Sequence, residues 1–83
     1  MTQLSVVWLA PAIRALRSLR RRDAERVDEA VLRYASGDKS AAFRLPDDEA
    51  TTVRLAADGY RVRMIVDIHN GVVWIVMVYR AHW

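Results

Sequence analysis

Arg54, Arg61, Arg63 and Arg80, the last followed closely by His82 and Trp83, are the residues of this 83-residue chain whose types and spacing suit chemistry. A guanidinium stays charged and presents a planar fork that matches phosphate or carboxylate. An imidazole titrates near neutrality and suits proton transfer. An indole offers a stacking face to a base. Together they suit a site for an RNA phosphodiester. The two histidines, His69 and His82, fall at opposite ends of one hairpin and there is no cysteine, so no metal-ligating set is expected.

Three strands, at residues 53–55, 60–68 and 72–79, must position these groups. Asn70-Gly71 between alternating segments favours a two-residue type I′ turn. That turn sets Arg80 opposite Arg61, Tyr79 opposite Val62 and Trp74 opposite Asp67. One face then carries Tyr60, Val62, Met64, Val66, Val73, Ile75, Met77 and Tyr79 as the core side. The other carries Arg61, Arg63, Ile65, Val76, Val78 and Arg80. A turn of two or four residues within 56–59 keeps Arg54 on the arginine face, opposite Arg63 or Arg61 respectively. Like charges directly opposite are destabilising, and no acidic residue of these strands is placed to neutralise them. An anionic ligand at that face is the functional expectation; a solvated basic face is the plainer one.

Upstream, residues 5–9 are β-branched and aromatic and read as a first strand. Pro11 fits the first turn of a helix. Ile13, Leu16 and Leu19 recur at helical spacing. Asp23 is the expected N-cap of a second helix with an apolar stripe of Ala24, Val27, Val31 and Tyr34, ending at Gly37. Residues 37–50 are a loop with at most a short strand around 43–45. Within it Asp47, Asp48 and Glu49 are the most concentrated source of a general base, although a solvated loop would hold them too. Residues 72–79 are apolar on both faces, which places them in the sheet interior with the first strand on their free edge. The expected architecture is one α+β domain, residues 1–83, of order β-α-α-β-β-β, with a helical hairpin on one face of a small antiparallel sheet.

The composition, 53% hydrophobic and 28% charged, suits a folded globule rather than a disordered segment. The net charge is +3, from twelve arginines and one lysine against ten acids; GC-rich coding would give the same arginine bias. No apolar run approaches the length of a membrane span and no signal peptide is evident, so a cytoplasmic protein is expected.

The strand–helix–helix–strand order, the opening Val7-Trp8 with Ala12 and Leu16, and above all Val53-Arg-Leu-x-x-x-Gly-Tyr-Arg-Val-x-x-x-Val66 resemble the RelE/ParE superfamily of bacterial toxins. The resemblance covers nearly the whole chain. The ending Arg80-Ala81-His82-Trp83 is similar to the Arg-x-His-Tyr terminus of the YoeB branch, which cuts mRNA on the ribosome. The resemblance implies a metal-independent endoribonuclease without cofactor, in which the ribose 2′-OH attacks its own 3′-phosphate. It implies that Arg61 stabilises the pentacoordinate phosphate, Arg80 holds phosphate or backbone, and His82 is the general acid. Arg54, Arg63 and Trp83 would bind substrate. Trp83 stands where the family has tyrosine and supplies no phenol. Asp47, Asp48, Glu49 and also Asp38 remain open as the base. The implied partners are mRNA on the ribosome and a cognate antitoxin. The ParE branch, which shares the fold and poisons DNA gyrase, is the alternative, as is an inactive toxin homologue that only binds an antitoxin; a non-catalytic module whose arginine face holds an acidic peptide is a further reading.

Overall fold

Strand β1 (Ser5–Trp8) runs directly into helix α1 (Ala10–Arg17), whose first turn holds Pro11, where a missing N–H costs nothing. The computed structural model describes residues 3–81, and it continues through α2 (Arg21–Ala35), β2 (Ala42–Phe43), β3 (Thr52–Ala57), β4 (Tyr60–Asp67) and β5 (Val72–Arg80). The five strands lie in the order β1-β5-β4-β3-β2, so the apolar β5 is interior and β1 takes its free edge, as its sequence requires. β1 pairs with β5 in parallel while the other pairings are antiparallel, so the sheet is mixed. The expected all-antiparallel sheet is corrected at this edge: β1 and β5 are separated in the chain by both helices and three strands, a connection long enough for a parallel pairing.

Both helices cover one face. Ala12 of α1 and Val27, Val31 and Tyr34 of α2 pack against Val53, Leu55, Val62, Met64, Val66, Val73, Ile75 and Val78. α2 ends in a Schellman motif: the Gly37 N–H donates to the Tyr34 carbonyl and the Asp38 N–H to the Arg33 carbonyl, with Gly37 at φ 113°. The N-terminus of α2 differs from expectation. Arg20 is its N-cap and makes no side-chain capping bond; Asp23 lies inside the first turn and accepts a 3.3 Å hydrogen bond from the Tyr60 hydroxyl. There its charge still complements the helix dipole. Among the described residues no helix is long and apolar enough to cross a membrane.

Two local departures change which residues share a face. The β4–β5 connection is a four-residue turn, not a two-residue one. The Asp67 carboxylate accepts from both the backbone and the side-chain N–H of Asn70, and the Gly71 N–H donates to Ile68 O. Only Gly71 takes a positive φ, whereas a type I′ turn needs two such residues. Then β5 bulges at Val76: Met64 faces Ile75, but Arg63 faces Met77. The extra residue inverts the alternation beyond it. Val78 is buried at 3% exposure and Met77 is open at 40%, the reverse of the sequence expectation.

Candidate functional site

The uncovered sheet face is built from alternate residues of β3 and β4 and from the residues of β5 that the bulge brings to that side. Arg54 of β3 faces Arg63 of β4, so the β3–β4 turn is of the two-residue kind. Asp58 takes its left-handed position at φ 52°, which aspartate tolerates better than most residues. Arg61 faces Tyr79 of β5, not Arg80. This corrects the expected Arg61–Arg80 opposition. The bulge carries Tyr79 to the open face and sends Arg80 to the helix side. There Arg80 lies over the Tyr60 ring, 5.7 Å from its centroid, and donates to the Tyr60 hydroxyl at 3.4 Å. It borders a cleft of about 650 Å³ with Arg20 and Asp23.

Arg54 makes three side-chain hydrogen bonds. Nε and one terminal nitrogen each donate to Asp48 at 2.9 Å, a fork-to-carboxylate pair. Its other terminal nitrogen donates to the Tyr79 hydroxyl at 2.6 Å. The side chains of Arg54 and Asp48 are only 15% and 8% exposed. Asp48 reaches this position because residues 45–48 form a tight turn: Asp48 N–H donates to Leu45 O, and the Asp48 carboxylate accepts the Leu45 N–H. The loop thus lays a carboxylate against the arginine face and supplies the neutralisation that the strands lack. The hydrogen bonds from Arg54, then the Leu45 N–H and the charges of Arg54 and Arg63, pull Asp48 down to about 2. The same pair pushes Arg54 further up.

That assignment bears on the base. A carboxylate with its two oxygens engaged by a guanidinium and its pKa near 2 is a weak proton acceptor at neutral pH. Asp48 positions Arg54. Asp47 and Glu49 are exposed and make no side-chain hydrogen bond among the described residues. Asp38 lies off this face at the end of α2, where its carboxylate accepts the Ser40 N–H.

Arg61 is anchored through one terminal nitrogen to the carbonyls of Asp58 and Tyr60, each at 2.8 Å. The Asp58 carboxylate is ion-paired to Arg26 of α2, and the Ala81 N–H donates to Gly59 O at 2.9 Å. One two-residue turn thereby fixes Arg61 and the end of β5. Arg63 is exposed on the same face. Beyond it along the strands lie Ile65 and its partner Trp74, both partly open. His82 and Trp83 fall outside the described residues.

Alternation alone misplaces both Tyr79 and Arg80, and Tyr79 is the one it fails to bring to the site. No polar residue in β5 marks the bulge.

No family model matches the chain, and no curated protein does. Solved structures do. The isolated Escherichia coli RelE toxin superposes with a TM-score of 0.77 at 17% identity, over 96% of this chain and 86% of that one. This chain has the RelE fold. The RelE–RelB complex of Pyrococcus horikoshii matches with a TM-score of 0.74 at 22% identity, over 96% of each chain. The RelBE2 toxin–antitoxin complex of Mycobacterium tuberculosis matches at 0.71 and 24% identity, over 98% of this chain and 94% of that one.

The Asp48–Arg54 pair has a signature in acid. Asp48 titrates near 2 when folded, below its ordinary 3.8. A depressed carboxyl contributes stability above its unfolded pKa and loses it as pH falls through the folded value. The melting temperature of the Asp48→Asn variant should therefore lie below that of the native chain by a constant amount above about pH 4. The gap should close between about pH 4 and pH 2. Parallel melting curves down to pH 2 would mean that the pair is not formed.

Proposed function

We propose that this chain is the toxin of a type II toxin–antitoxin pair and that it cuts mRNA at the ribosome without a metal. One observation carries the reading: the open face of a RelE fold gathers Arg54, Arg61, Arg63 and Tyr79, with Arg54 locked by Asp48. In this reaction the ribose 2′-oxygen attacks the adjacent phosphorus and the P–O5′ bond breaks. The products are a 2′,3′-cyclic phosphate and a free 5′-OH. Arg61 stabilises the charge that develops on the pentacoordinate phosphate. Tyr79 accepts from Arg54, which leaves its own O–H to donate to a phosphate oxygen. Arg63 adds charge beside it. Arg80, on the other side of the strand, serves the flanking RNA backbone.

His82 is the general acid for the leaving 5′-oxygen, and Trp83 stacks on a base. The Ala81 N–H donates to Gly59 O, which ties the end of β5 to the turn that anchors Arg61. With Asp48 committed to Arg54, Asp47 and Glu49 are the carboxylates of that loop left to take the 2′-hydroxyl proton. The partner that silences the toxin is a cognate antitoxin, of the kind present in the RelBE complexes that share the fold.

The test that separates this reading from gyrase poisoning is His82→Gln. As a nuclease, the variant should lose mRNA cutting by about 10²-fold or more and lose toxicity, while still binding the antitoxin. Toxicity that survives the substitution, together with intact mRNA in the native control, would move the target to gyrase.

A further inference from the structure

A second concavity adjoins the arginine face, and the roles above leave it unused. It is a groove of about 750 Å³ where the starts of β3 and β5 meet the end of β4, within the roughly 300–1,000 Å³ typical of ligand sites. Three aromatic residues, Tyr34, Phe43 and Trp74, line it. Lys39, Arg44 and His69 also line it and are solvent-exposed. The carboxylate on this lining, Asp67, turns its two oxygens to Asn70. The groove is therefore apolar inside and basic at the rim.

Its position relative to the arginines decides the occupant. Ile65, on the groove wall, lies two residues beyond Arg63 on the same face of β4, about 7 Å away. Arg61 is about 13 Å away by the same spacing. Trp74, the cross-strand partner of Ile65, stands between the two surfaces at 39% exposure. A polyanion whose phosphate rests among Arg54, Arg61 and Arg63 needs to run only a short way along β4 to reach the groove. Flat aromatic walls with cations at the rim suit an unpaired base and its phosphate. We infer that this groove binds an unpaired nucleotide of the same single-stranded RNA, next to the segment held at the arginine face, with Trp74 stacking on its base and Arg44 and Lys39 contacting its backbone. The inference rests on the arginine face being an RNA surface and extends it by a second contact that would set sequence preference.

The probe is a fluorescein-labelled, 2′-O-methylated 12-nucleotide single strand, which cannot be cut because it has no free 2′-OH. Binding is followed by anisotropy at fixed salt. Removing one stacked base contact lowers affinity roughly tenfold, so Trp74→Ala should weaken binding by about that factor. Arg44→Glu and Lys39→Glu are exposed changes that leave the core untouched. Each should weaken binding and flatten its salt dependence. Leu32→Ala, exposed on α2 and away from the groove, should bind as the native chain does. The proposal is overturned if the native chain does not bind the strand. It is also overturned if the Trp74, Arg44 and Lys39 variants all bind at native affinity, or if an acidic peptide alone binds through these residues. Nuclease activity is read separately, by cutting in a translation reaction. Binding through Trp74 without cutting keeps the groove and sinks the nuclease reading; cutting with native binding by all three variants does the reverse.

Discussion

Arg61→Ala should lower the rate of mRNA cutting by about 10²–10³-fold, the loss expected when one donor aimed at developing charge is removed. Arg61 sits on the open sheet face opposite Tyr79, and one terminal nitrogen is tied down by the Asp58 and Tyr60 carbonyls. A guanidinium held in place needs little reorganisation when a phosphate gains charge beside it. Arg61→Lys keeps the charge but loses the fork and the anchoring, so it should recover only a small part of the rate. The structural cost should be modest, because the lost hydrogen bonds are worth about 0.5–1.5 kcal/mol each. Single-turnover cutting with a thermal melt on the same sample separates the two effects. A folded Arg61→Ala variant that cuts at the native rate would show that phosphate charge is stabilised elsewhere on the face.

The largest stability effect should come from Ile75→Ala. Ile75 is fully buried in the interior strand β5, beside the bulge, and pairs with Met64 on one side and Trp8 on the other. Truncating a buried isoleucine costs about 2–5 kcal/mol. For a domain of this size each kcal/mol lowers the melting temperature by about 4–8 °C, so a fall of about 8–40 °C is expected. Small domains have little stability to spare, so part of the variant should be unfolded at 37 °C unless a partner binds it. The contrast with Met77→Ala tests the bulge. Met77 faces solvent and should cost well under 1 kcal/mol when truncated, whereas Val78→Ala should cost more. Equal losses at 77 and 78 would contradict the inverted register.

The order of elements was legible because each has a local signature. Pro11 marks the first helix, Gly37 closes the second, and Val27, Val31 and Tyr34 are spaced to face a core. β5 was legible as an interior strand because it is apolar on both faces. The same property hid its register. With valine or methionine at 76, 77 and 78, either face accepts burial, and nothing in the pattern opposes a bulge. Tyr79 and Arg80 changed places for that reason. The four-residue turn was hidden in a similar way: Asn70-Gly71 carries a strong local preference, but the Asp67 side chain supplies a competing set of hydrogen bonds. The role of Asp48 depends on a turn that brings it to Arg54, six residues on, and no periodicity records such a contact. The chain showed that arginines would meet on one face; the pairing that orients them came only with the fold.

Whether the arginine face cuts RNA is read by adding the purified protein to a cell-free translation reaction. The 5′ ends of the mRNA are mapped with and without translating ribosomes. Discrete cuts are expected that require ribosomes, leave a 5′-OH on the downstream fragment and a 2′,3′-cyclic phosphate on the upstream one, and disappear with Arg61→Ala. Intact mRNA from a correctly folded native chain would contradict the nuclease reading.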